Sequence, residues 1–315
     1  MASDIQRLFY GTGVALVTPF KDDKRKSIDF EQFKKLLDYT GKYVDYWVVN
    51  GTTAESPTLT QEERNELLRT AVTHNSTKRP IMFGVGRNST EETIEALQTI
   101  DLTGVDAILT VSPYYNKPSQ RGLIAHYTAI ADASPKPIVM YNVPGRTGTN
   151  MEAETTLRLA EHPNIIGIKE ASGNLMQAMK IAKDKPKDFL LISGDDLFTI
   201  PMMSFGAVGV ISVAANAFPL EISRSVRAAF RHQFQEAMKD MFALYEIINL
   251  LFAEGNPVGI KLLLEILGLC SKEVRLPLVA GSDKLLEKML ANLEELKLVC
   301  YSERLRVSKT GQWSE

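Results

Sequence analysis

The chain is poor in the residues that build covalent or metal frameworks. Of its 315 residues only two are cysteines, Cys270 and Cys300, and four are histidines. Two cysteines make no disulfide scaffold, and His74, His126, His162 and His232 show no metal-ligand spacing. A dominant charge is also lacking. Lys and Arg total 36 against 38 Asp and Glu, leaving −2, so no general field draws the chain to nucleic acid or anionic lipid. Long apolar runs are missing too. The stretch Gly206 to Leu220 is broken by Ser212, Asn216 and Pro219, which suits a buried strand and a turn and not a membrane helix. Met1 to Tyr10 has no apolar core of a signal peptide. These absences predict a reducing, cytoplasmic setting with no nucleic-acid or membrane partner. With 44% hydrophobic and 23% charged residues, disorder is excluded as well.

What is present is alternation. Eight short apolar runs rich in β-branched residues read as strands: Thr12–Thr18, Tyr46–Asn50, Ile81–Val85, Ala107–Ser112, Ile138–Asn142, Ile165–Lys169, Leu190–Ser193 and Val208–Val213. Strands so uniformly apolar are covered on both faces. Helical patterns fill the gaps. Thr60 with Glu63 and Ser89 with Glu92 each read as a capping box opening a helix. Eight strand–helix units favour a closed (β/α)8 TIM barrel over a doubly wound open sheet. After Phe218 only helices are predicted, over Glu221–Phe252, Val258–Leu267 and Asp283–Val299. The α/β chain therefore divides into a barrel (1–225), a C-terminal helical segment (226–301) and a polar tail (302–315).

In such a barrel the chemistry sits at the C-terminal ends of the strands. Lys169 closes the run Ile165–Ile168. A stem emerging from a dry interior would desolvate the ammonium, lower its pKa and free a lone pair for attack on a carbonyl. An ion-paired or phosphate-binding lysine is the alternative. Tyr141 ends the neighbouring strand, where a phenol can act as general acid and base or be a plain rim aromatic. Thr52 and Thr53 follow Gly51 and suit either a carboxylate cradle or simple turn chemistry. Arg146, on a Pro-Gly loop over the same face, can clamp a carboxylate or lie solvated. The adjacent pair Tyr114-Tyr115 suits a subunit contact as well as a site. Asp195-Asp196 reads as a helix cap before a cation site. Gly84-Val85-Gly86 lacks the third glycine of a dinucleotide fingerprint, since Ser89 stands there.

Five motifs in order, Gly-Thr-Thr-x-Glu-Ser at 51–56, Pro-Tyr-Tyr-Asn at 113–116, Tyr-Asn-Val-Pro-x-Arg-Thr-Gly at 141–148, Gly-Ile-Lys-Glu-Ala at 167–171 and Ser-Gly-Asp-Asp at 193–196, resemble the dihydrodipicolinate synthase family over about Phe9 to Val299. The resemblance implies that Lys169 forms an imine with pyruvate. The derived enamine then condenses with L-aspartate-4-semialdehyde to 4-hydroxy-tetrahydrodipicolinate, on the way to diaminopimelate and lysine. It implies a proton relay of Tyr141, Thr52 and Tyr115, the last supplied across a tight dimer within a homotetramer. It assigns the pyruvate carboxylate to Thr53, the semialdehyde carboxylate to Arg146, and remaining pocket positions to Gly194 and Ile211. No cofactor or metal is implied.

The sequence departs from the family in two places. Ala54 stands where many members have Gly, which is harmless unless the backbone needs a positive φ there. Ser56, Asn88, Glu92 and Tyr114 match a lysine-feedback site, yet its two histidines are replaced by Gln61 and Arg64. An arginine repels a lysine ammonium, which predicts weak or absent feedback. The competing readings are a related class I lyase acting on N-acetylneuraminate or a 2-keto-3-deoxy sugar acid, against which Arg146 argues, and a barrel that binds without catalysis.

Overall fold

A computed structural model describes residues 4–296. Cys300, the end of the helix predicted to reach Val299, and the 302–315 tail lie outside the described residues. Eight parallel strands, β1 Gly11–Ala15, β2 Tyr46–Val49, β3 Ile81–Gly84, β4 Ala107–Val111, β5 Ile138–Asn142, β6 Ile165–Glu170, β7 Leu190–Ser193 and β8 Gly209–Ser212, close in sequence order into a barrel. All eight predicted runs are strands. Most are shorter at the C-terminal end than the apolar pattern suggests. There the chain leaves the ladder while still buried, as at Leu16 to Thr18.

A short helix, α1 (Asp4–Arg7), precedes the barrel. Between the strands run α2 (Phe30–Gly41), α3 (Gln61–Thr73), α4 (Thr90–Thr99), α5 (Gln120–Ala133), α6 (Pro144–Thr147), α7 (Ala153–Leu159), α8 (Leu175–Asp184) and α9 (Thr199–Ser204). Side-chain caps start most of the longer ones. The box at Thr60 and Glu63 is complete, whereas at Ser89 only the serine accepts, from the Glu92 N–H. After β8 follow α10 (Pro219–Phe230), α11 (Phe234–Ala243), α12 (Tyr245–Phe252), α13 (Val258–Ile266) and α14 (Asp283–Glu295). The single helix predicted over Glu221–Phe252 is thus three. His232, at φ 58°, breaks it first in a left-handed turn that no glycine or proline announces.

Two cores result from the pleat. One lies between strands and helices and includes Val14, Trp47, Phe83, Ile108, Ile168 and Leu191. The other fills the barrel with the alternate residues Ala15, Val48, Met82, Leu109, Val139, Tyr141, Ile192 and Ile211. Phe9 and Tyr46 pack edge to face in this inner core, 5.3 Å apart. Lys169, between Gly167 and Ala171, shares the inward parity. No described helix is long and apolar enough to cross a membrane.

Candidate active site

Residues Tyr141 and Lys169 are direct partners in the β5–β6 ladder. Both are buried, at 7% and 6% exposure, and the Lys169 ammonium lies 4.3 Å from the Tyr141 ring centroid. Among the described residues no carboxylate comes within ion-pairing distance of Lys169, so the ion-paired alternative fails. The neighbouring Glu170 is turned the other way by the strand's alternation. Its carboxylate accepts from Asn142 Nδ2 (3.1 Å), Gln177 Nε2 (3.1 Å) and the Ser172 N–H (2.7 Å). That network holds the ends of β5 and β6 from outside and leaves the inner face to the amine. Gly194 packs on the lysine stem: a Cβ there would lie 3.1 Å from Lys169 Cε and 2.6 Å from Ala171 Cβ. Ile211 is buried on β8 in the same inner core.

The Gly-Thr-Thr motif forms a 3-10 turn over Thr52–Ala54 directly after β2. Thr53 is buried, and its Oγ1 accepts from Asn256 Nδ2 at 2.9 Å. Ala54 does not take a positive φ; Glu55 does, at 56°, which removes the concern over the missing glycine. Arg146 is exposed, in α6, but not loose: its Nη2 donates to the Asn256 carbonyl at 3.1 Å. Asn256 therefore touches both residues that the resemblance assigns to substrate carboxylates. Nothing in the sequence reading found Asn256. The only available signal was the Gly-Asn-Pro break at 255–257 between two helices.

Other predicted residues lie elsewhere. Tyr115 is 90% exposed, at φ 72°, with its N–H on the Thr147 carbonyl. Within one chain no hydrogen bond links Tyr115, Tyr141 and Thr52 to one another. The residues matched to the feedback site form two pairs: Arg64 donates to the Ser56 carbonyl at 2.8 Å, and Asn88 Oδ1 accepts from the Tyr114 N–H at 2.8 Å. Arg87 donates to Gln61 Oε1 at 3.2 Å. Burial, and then the nearby Arg87 charge, pull the Arg64 pKa down. Glu92 makes no hydrogen bond to this group among the described residues. Asp195 caps the turn ahead of α9, accepting from Leu197 and Phe198, whereas the cap position itself is Phe198. Asp196 is buried and bonded to Ser212, Val213 and Ala214. No three described His, Cys, Asp or Glu side chains gather as a metal site.

A model of the dihydrodipicolinate synthetase family matches residues 8–296. The 4-hydroxy-tetrahydrodipicolinate synthase of Cytophaga hutchinsonii is 52% identical over 282 residues, 89% of this chain and 94% of that protein. The enzyme of the same name from Phocaeicola vulgatus is 50% identical over 298 residues, covering 94% and 100%. Among solved structures, a dihydrodipicolinate synthase from Cyanidioschyzon merolae with lysine bound superposes with a TM-score of 0.88 at 39% identity, over 92% of this chain and 99% of that one.

Proposed function

This chain belongs to the dihydrodipicolinate synthetase family, and on that premise we propose that it is a 4-hydroxy-tetrahydrodipicolinate synthase, a lyase that joins pyruvate to L-aspartate-4-semialdehyde. The observation that carries the reading is Lys169: buried, in register with Tyr141, and free of any carboxylate partner among the described residues. An amine so placed attacks C2 of pyruvate, water leaves, and the protonated imine is itself the electron sink, so no cofactor is required. Loss of a proton from C3 gives the enamine, whose carbon attacks the aldehyde. The substrate amine then displaces the lysine as the ring closes.

The roles follow from chemistry and position. Thr53, with its hydroxyl oriented by Asn256, supports the pyruvate carboxylate. Arg146, steadied on the Asn256 carbonyl, supports the carboxylate of the semialdehyde. Tyr141 and Thr52 pass protons, and Tyr115, exposed in the single chain, completes the relay from a second subunit. Gly194 and Ile211 shape the pocket. The assembly in this reading is a homotetramer of two tight dimers, acting in the cytoplasm. Gln61 and Arg64, with Arg87 beside them, disfavour a lysine ammonium among Ser56, Asn88, Glu92 and Tyr114.

Borohydride reduction in the presence of pyruvate tests the reading. One adduct per chain is expected, mapped to Lys169 and lost in Lys169→Ala. Arg146→Ala is expected to keep that adduct while condensation falls about tenfold, the effect of losing one charge-assisted contact at an exposed arginine. An unchanged intact mass in the native chain would overturn the reading.

A further inference from the structure

Lys261 has no exposed surface, and in α13 it stands among the buried Val258–Leu264, with Glu265 the helix's other charge. Its Nζ donates to Glu55 Oε1 at 2.6 Å and to the Glu273 carbonyl at 2.7 Å, and sits 4.0 Å from the Phe20 ring centroid. Glu55 is equally enclosed, and its second oxygen accepts from the Arg275 N–H at 2.9 Å. Such a pair adds little stability over apolar residues of the same volume, because desolvating two charges offsets their attraction. What it supplies is direction. Glu55 ends the Thr52–Ala54 turn in a left-handed conformation that a non-glycine residue adopts only at a cost. Two residues earlier Thr53 is held by Asn256. The turn is thus gripped at positions 53 and 55 by one stretch of the C-terminal segment, Asn256 to Arg275. Arg275 extends the grip, bonding the Thr58 carbonyl at 3.0 Å and Glu63 at 2.6 Å.

We propose that Glu55 and Lys261 are positioning residues for the keto-acid carboxylate, acting through the Thr52–Ala54 turn, an inference that rests on the roles of Lys169 and Thr53 given above. The helical segment after the barrel is then part of the binding apparatus, although Lys261 touches no substrate. The pair acts on pyruvate capture by fixing where the Thr53 hydroxyl and the backbone of the turn stand.

Two variants test this. Glu55→Gln/Lys261→Met removes both charges at nearly constant volume and leaves an oxygen for the Arg275 N–H. Glu55→Asp keeps both charges and draws the carboxylate back by one methylene. The readout is the pyruvate concentration giving half-maximal borohydride adduct on Lys169, measured beside thermal unfolding. In whichever variant folds, the adduct still forms at saturation and half-saturating pyruvate rises about tenfold, the scale of one misplaced hydrogen-bonded contact. Leu97→Ala, a core truncation in α4, lowers the melting temperature with half-saturation unmoved. A half-saturation within about twofold of the native value in both variants, or an equal rise in Leu97→Ala, overturns the assignment. Absence of an adduct in the native chain overturns instead the reading of Lys169 on which it rests.

Discussion

Asp196 and His126 are both buried, and burial moves their proton affinities so that the charged form of each is disfavoured. Asp196 is pushed up to about 6 by desolvation, against its hydrogen bonds from Ser212 and Ala214. His126 is pushed down to about 4 by desolvation, with Nδ1 on the Thr90 hydroxyl at 2.9 Å. The raised carboxyl contributes stability that is full below its unfolded value of 3.8 and is lost as pH rises through about 6. The depressed imidazole has the opposite slope. The unfolded chain binds its proton below 6.5 and the folded chain only below about 4, so stability rises with pH across that window. Each effect is of order 3 kcal/mol, and in the native chain they oppose. His126→Gln should leave a melting temperature that falls from pH 4 to 6, and Asp196→Asn one that rises over the same range. Parallel curves for both variants would contradict this. Neither group was legible as titrating, because burial is a tertiary property. Lys169 was legible, because a cation closing an apolar strand is conspicuous in any register.

Elements were legible where pattern and cap agree. Helix α3 begins just after its Thr60 cap, as the box requires, and carries Gln61 and Arg64 in its first turn. That helix makes the feedback question an electrostatic one. Burial, and after it the nearby Arg87 charge, depresses the Arg64 pKa, and a lysine ammonium brought among Ser56, Asn88 and Tyr114 meets two like charges. Activity is expected to be indifferent to lysine up to about millimolar concentration, where an ion of the same sign gains nothing by binding. A steep loss at micromolar lysine, seen in a simple titration, would contradict that. The break of α10 from α11 at His232 escaped the sequence because Phe230 and Phe234 keep a helical i, i+4 spacing across the polar Arg231–Gln233 while the backbone turns. The Ser89 box formed only in part for a similar reason: spacing permits a side chain to reach, and packing decides whether it does.

At the scale of the whole molecule the proposed relay calls for more than one chain. Tyr115 stands almost fully in solvent while Tyr141 and Lys169 are enclosed in the barrel. If a second copy supplies the phenol, two inactive variants should repair each other. Mixing Lys169→Ala with Tyr115→Phe under conditions that exchange subunits should restore activity up to about a quarter of native. That is the share of sites pairing an intact Lys169 with a partner's Tyr115 when copies mix at random. Mixtures no more active than their components would show that the two residues never meet.

The order of strands and helices, the closed barrel and the reactive strand ends are written locally. Hydrophobic period, turn residues and right-handed crossovers depend on near neighbours along the chain, and eight such units admit few other closures. The grip of Asn256 and Lys261 on a turn some 200 residues earlier is not written that way. A lysine inside α13 reads as a misplaced charge until folding brings Glu55 to it, because an ion pair has no sequence period and exists only as a distance.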